Sequence, residues 1–175
     1  MVPGEARFGQ KGTNSRVWAE HGTRPRAFRQ HQYEWAYLFG AVCVDTGECN
    51  GWIAPVANTE VFNFQLESLS RQLAIDVHAV LVVDRAGWHM ARGVVVPGNI
   101  TVVPLPPYSP ELNPCESIWK VLRQRYLSNR VFPDIEQLDV AYLDEAVGEA
   151  WCRFIAEPEA VVSLCRYHWM EPMIN

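Results

Sequence analysis

Two carboxylates, Asp84 and Glu116, stand where the surrounding residues would hold them in place. Asp84 closes the β-branched run Val80-Leu-Val-Val-Asp84, which puts it at the carboxyl end of a buried strand, where α/β sheets usually present their chemistry. Glu116 follows the segment Leu105-Pro-Pro-Tyr-Ser-Pro-Glu-Leu-Asn-Pro114 and opens a helix. Hard cations take oxygen ligands, and magnesium commonly needs only one or two carboxylates beside water and substrate oxygens. Two such ions roughly 3.5–4 Å apart align an oxygen nucleophile and neutralise charge on a phosphate. The 31 residues between the two acids leave room for one strand and a turn to carry a helix-borne Glu beside a strand-borne Asp. Each acid also has a structural alternative: Asp84 as a helix N-cap, and Glu116 as a charge favouring the helix dipole.

The elements that must position these acids can be read along the chain. Ser15-Arg-Val-Trp-Ala19, Tyr33–Val44 and Cys49–Ala54 read as antiparallel strands, with Asp45-Thr-Gly-Glu48 as a hairpin turn. Asn58 is placed to cap a helix carrying Val61, Phe62, Phe64, Leu66, Leu69 and Leu73, mostly three or four apart, so this helix should cover one sheet face. His78–Asp84 is the buried strand, Gly87–Arg92 a short helix, and Ile100–Pro104 another strand. Pro104, Pro106 and Pro107 stop that strand and force an extended approach to Ser109. The helix opening near Pro114 puts Trp119, Leu122 and Tyr126 on one stripe, with Lys120 and Arg123 alongside. Ile135–Ala156 and Pro158–Cys165 read as further helices. Strands followed by alternating helix and strand imply an α/β layer architecture.

Asp84, His89, Pro106-Pro-Tyr-Ser-Pro-Glu-Leu-Asn-Pro114, Glu116 and Trp119 together resemble the catalytic core of the mariner-like DDE transposases, most closely the bacterial insertion-sequence branch called the six-thirty family. Glu5-Ala-Arg-Phe-Gly9 resembles that family's first catalytic strand, and Trp18–Pro25 and Tyr33–Val42 follow its pattern. The resemblance implies a ribonuclease-H-like fold, a mixed five-stranded sheet flanked by helices, as one catalytic domain over residues 1–175. The family's N-terminal helix-turn-helix region is expected to be absent from residues 1–175, and 131–175 are expected to form acidic C-terminal helices. It implies Asp84 and Glu116 as catalytic metal ligands, with Mg2+ (or Mn2+) in a two-ion site, and a gap between them close to the family's own. The family's first acid, which contacts both ions, falls at Gly4. Glu5 is expected to point to the opposite face of its strand, so that only a bulge or register slip would bring it inward. An impaired or inactive site is therefore expected. His89 is implied to contact phosphate or the flanking strand, although a lone His is also a common packing residue.

Charge distribution bears on the partner. The chain has a net charge of −5, yet residues 1–31 carry Arg7, Lys11, Arg16, Arg24, Arg26 and Arg29 against only Glu5 and Glu20. In residues 131–175, Arg153 and Arg166 oppose nine acids. DNA would meet the basic side, where Arg and Lys neutralise phosphates and release counterions. Arg16, Arg24, Arg26, His89, Lys120 and Arg123 are the expected nucleic-acid contacts, a solvated basic edge being the alternative. Trp18, Trp35, Trp52 and Trp88 suit base stacking or core burial. Tyr108 and Ser109 read as structural parts of the turn, Glu111 as a turn residue, and Asn113 as a bond to local backbone.

Five cysteines without a Cys-x-x-Cys pair fit reduced thiols rather than a disulfide framework or structural zinc. No apolar run approaches the roughly 20 residues that span a bilayer, and a bacterial cytosolic, nucleoid-associated location is expected. The function implied is metal-dependent DNA cleavage and strand transfer, with transposon ends and target DNA as partners and a homodimer or a full-length transposase as the associating protein. Two rivals are an inactive remnant that binds DNA or dimerises as an inhibitor, and a ribonuclease-H-like nuclease outside transposition.

Overall fold

The computed structural model describes residues 1–9, 20–23, 35–128 and 140–170. Strand β1 (Val2–Gly9) pairs antiparallel with β2 (Trp35–Val42) in an unbroken register from Val2↔Val42 to Gly9↔Trp35, and β2 pairs antiparallel with β3 (Cys49–Ala54). The β2–β3 turn is closed by Cys43 N–H to Glu48 O at 2.8 Å and Gly47 N–H to Cys43 O at 2.8 Å. Gly47 has φ +75°, a conformation that costs glycine nothing. Strands β4 (Ala79–Val83) and β5 (Ile100–Pro104) form a parallel pair.

The expected single five-stranded sheet is therefore divided into a three-stranded antiparallel and a two-stranded parallel piece. They meet where the Met1 amine donates to Val80 O at 2.7 Å and Val82 N–H donates to Met1 O at 3.1 Å. The division arises because β1 and β4 share only this short stretch of ladder. The expected strand at Ser15–Ala19 lies outside the described residues.

Alternation within the strands builds two cores. Helix α1 (Thr59–Gln72), capped by Asn58 Oδ1 accepting from Val61 N–H at 2.9 Å, buries Phe62, Leu66 and Leu69 against Ala41, Ala79, Leu81, Val83 and Ile100. The other face carries Val2, Ala6, Phe8, Leu38 and Val42 beneath α2 (Cys115–Val121), α3 (Val140–Ile155) and α4 (Pro158–Cys165). Helix α2 continues through a π-turn over Leu122–Tyr126. The short helix expected at Gly87–Arg92 is a series of turns instead, and Gly87 and Gly93 bracket it.

Three glycines shape the second face. Gly4 pairs with Gly40, and Gly40 with Gly51, so they form one row across β1, β2 and β3. A Cβ on Gly4 would stand 2.8 Å from Cys115 Cβ, one on Gly40 2.8 Å from Trp119 Cη2, and one on Gly51 2.4 Å from Trp151 Nε1. The row is a trough in which Trp119 and Trp151 lie with ring centroids 6.0 Å apart. Burying each indole is worth roughly 4–6 kcal/mol at the usual area coefficient.

Candidate functional site

Asp84 follows the last residue of β4, beyond the ladder, and its side chain is 40% exposed. Its Oδ1 accepts from Ala86 N–H at 2.9 Å, an Asx turn that starts the Gly87–Arg92 segment, and lies 2.8 Å from His89 Nδ1. The local capping alternative is thus fulfilled through one oxygen, and among the described residues no recorded hydrogen bond falls on Oδ2. His89 is nearly sealed, its side chain 1% exposed between Phe62 and Trp88. Its Nε2 sits 3.4 Å from Glu5 Oε2. One ligand atom from each of Glu5, Asp84 and His89 lies within 4.8 Å of the others.

Burial opposes the charged imidazole, but pairing with Asp84 and Glu5 outweighs it and lifts the His89 pKa to about 9. The same bond to His89 holds the Asp84 carboxyl below its ordinary range, against its own partial burial. At neutral pH the ring is an imidazolium bridging two carboxylates. Both nitrogens then face carboxylates inside the fold, Nδ1 that of Asp84 and Nε2 that of Glu5.

Glu116 stands in the first turn of α2, exposed, on the opposite face of the sheet from Glu5. Partial desolvation raises its pKa; Arg123 opposes this, while Asp84 and Glu5 add to it by repulsion. Among the described residues, the ligand atoms that gather within 4.8 Å are those of Glu5, Asp84 and His89, and Glu116 is not one of that group. Glu5 is the member that sequence reasoning missed. Strand alternation does send Glu5 and Gly4 to opposite faces as expected, and β1 has no bulge. Yet the Glu5 face is the one over which the turn after Asp84 folds His89 back, so the carboxylate joins Asp84 from that side. Gly4 meanwhile faces Cys115 and Trp119, and the Trp119 indole N–H, 3.5 Å from the position of a residue-4 Cβ, finds no acceptor among the described residues.

This donor set suits a hard divalent cation. Carboxylate oxygens match magnesium or manganese, and a cation would relieve the repulsion between neighbouring carboxylates. Lys120 is exposed one turn after Glu116, and Arg123 lies with its guanidinium 5.3 Å from the Phe8 ring. Arg16, Arg24, Arg26 and Trp18 lie outside the described residues. Trp35 is covered by the Arg7 guanidinium at 4.1 Å, and Trp52 and Trp88 are half-buried. Asn113 is buried and accepts from Cys115 N–H at 3.0 Å, holding the start of α2. Tyr108 is 99% exposed, with φ +59°.

Residues 4–139 match the family model of the DDE superfamily endonucleases. The chain belongs to that family. This endonuclease-family chain is 38% identical over 135 residues to an uncharacterized protein, y4pE/y4sA, of Sinorhizobium fredii (strain NBRC 101917 / NGR234), covering 77% of this chain and 96% of that one. Its fold is similar to that of Mos1 mariner in the paired end complex with Mn, with TM-score 0.58 and 18% identity over 95% of this chain. The paired end complex with Mg gives TM-score 0.55 and 19% identity over the same share. The fold is ribonuclease-H-like, that of a mariner-like DDE transposase catalytic domain. The chain spans 55% of the length of those Mos1 chains. Among the described residues no helix is long and apolar enough to cross a membrane.

Proposed function

We propose that this chain is a mariner-type transposase core for metal-dependent phosphoryl transfer on DNA, with Asp84 and Glu116 as the metal-holding acids and its activity impaired at Gly4. The observation that carries the reading is the match of residues 4–139 to the DDE superfamily endonucleases, with Asp84 just past the end of β4 and Glu116 in the first turn of α2. Bound there, magnesium would neutralise the scissile phosphate and lower the pKa of an attacking water. The chain's own residues supply the rest. Asp84 is oriented by the Ala86 amide and His89, Glu116 is set by the Asn113-anchored start of α2, and Arg123 favours the ionised form of Glu116. The proposed impairment follows from Gly4, which offers no oxygen, and from Glu5, which lies against His89 on the other face. Transposon ends and target DNA are the substrates of this reading, and a second transposase chain is the associating partner.

Calorimetric titration of manganese, with magnesium competition, into the unmodified chain, Asp84→Asn and Glu5→Gln tests it. Asp84→Asn should weaken binding by more than the roughly 10–100-fold typical of residues behind the ligands, and Glu5→Gln by less. Equal affinity in the unmodified chain and Asp84→Asn would refute the site. An equal loss in both variants would show that Glu5 has replaced the missing acid, and nicking of supercoiled DNA in manganese should then be near full strength.

A further inference from the structure

Tyr108 is the only non-glycine residue with positive φ among the described residues, and its ring is 99% exposed. A bulky residue is sterically disfavoured there, and an aromatic ring in water forgoes burial that the same fold gives to Trp119 and Phe39. Neither cost is recovered by a contact among the described residues. The ring is also held stiffly. Pro106, Pro107 and Pro110 restrict the backbone on both sides, and Ser109 Oγ donates to Pro107 O at 3.3 Å. The stem is tied to β4 by Leu105 N–H to Val83 O at 2.7 Å and by Arg85 Nε–H to Leu105 O at 2.8 Å.

Tyr108 stands at the lip of a cavity of about 370 Å³ whose wall also includes Asp84, Arg85 and the three prolines. One depression thus offers an aromatic face, a guanidinium whose terminal nitrogens have no partner recorded among the described residues, and a carboxylate of the candidate metal site. These match the three parts of one nucleotide at a reacting strand: base, phosphate and the bond to be broken. Fixing the ring in advance lowers the entropy lost when a base stacks on it.

We propose that Tyr108 is a stacking platform for an unpaired base of DNA at the strand end next to Asp84, with Arg85 on the adjoining phosphate. This rests on the reading of DNA as substrate. It replaces the expectation that Tyr108 is structural.

The test uses the full chain and a DNA duplex with a three-nucleotide single-stranded overhang whose first unpaired base is 2-aminopurine, beside a blunt duplex. The unmodified chain and Tyr108→Phe should quench the 2-aminopurine. Tyr108→Ala and Tyr108→Gly should not quench it and should bind the overhang DNA roughly 5- to 100-fold more weakly, with blunt-duplex affinity unchanged. Tyr108→Gly should melt no lower than the unmodified chain, since glycine accepts the positive φ, and this separates loss of stacking from loss of fold. Binding of overhang DNA without quenching, with Tyr108→Ala binding equally well, would overturn the platform while leaving the DNA reading intact. Failure of the unmodified chain to bind either DNA would overturn both.

Discussion

His89 sets the electrostatics of the site more than either acid does alone. Its ring is sealed, yet the flanking carboxylates raise its pKa to about 9 from an ordinary 6.5. A group whose folded pKa is raised stabilises the fold fully below its unfolded pKa and loses that contribution as pH rises through the folded value. Stability should therefore fall between about pH 6.5 and pH 9.5. Asp84, held low by the same bond, gives stability that is present above its ordinary value and lost as pH falls through its depressed one. Because Asp84 is 40% exposed, solvent weakens the pair, and we expect a decline of roughly 1–3 kcal/mol on the alkaline side. Urea unfolding at pH 6.5 and 9.5 measures it, and His89→Gln should remove most of the slope; a slope unchanged in His89→Gln would assign it elsewhere. Asp84 and Glu116 were legible as residues because a strand end and a proline-bounded helix start are local signals. The Glu5–His89 contact was not, since it depends on how a turn 80 residues further along folds back over β1.

At the scale of elements, the glycine row decides what Gly4 means. Read alone, Gly4 is an acid lost from a catalytic strand; across β1, β2 and β3 it is also one end of the trough that seats Cys115, Trp119 and Trp151. Each glycine was visible in the sequence, but their alignment required the register of two strand pairs, which periodicity alone does not supply. The strands β2 to β5, the Asn58 cap and the hairpin at Asp45–Glu48 were legible because alternation, capping and turn chemistry are short-range. Restoring the family acid therefore has a steric consequence. Gly4→Asp should destabilise the chain by about 2–4 kcal/mol, from overpacking against Cys115 and from a carboxylate placed in an apolar layer. Gly4→Ala should show the steric part, about 1–3 kcal/mol, without the charge. Cys115→Gly in the Gly4→Asp background should recover part of the loss by removing the opposing Cβ. Thermal melts of the three variants are sufficient, and a Gly4→Ala protein as stable as the unmodified chain would show that α2 shifts freely and that the trough does not constrain this position.

For the whole molecule, helices α3 and α4 are part of the hydrophobic core. Residues 131–175 carry nine acids against Arg153 and Arg166 and read in the sequence as acidic C-terminal helices of the one domain. Helices α3 and α4 place Leu143, Val147, Ala150, Trp151, Phe154, Val161 and Cys165 in the core, while Glu145 and Glu159 are exposed. The family match ends at residue 139, before either helix. The family-matched segment and the folding unit are therefore different lengths of chain. A chain cut after residue 139 would keep every carboxylate of the candidate site. It would also uncover the trough over Gly40 and Gly51 and the apolar face of β2 and β3. At roughly 25 cal/mol per Å2 of apolar surface, the loss of Trp151 and Phe154 alone, at roughly 150–250 Å2 each, approaches the whole stability of a typical domain. The truncated chain should lose its cooperative thermal transition and elute as aggregate in size-exclusion chromatography, whereas a chain ending at residue 170 should remain folded. A cooperative, monodisperse 1–139 fragment would mean that α2 and the sheet suffice, and that α3 and α4 only dock on a domain already complete.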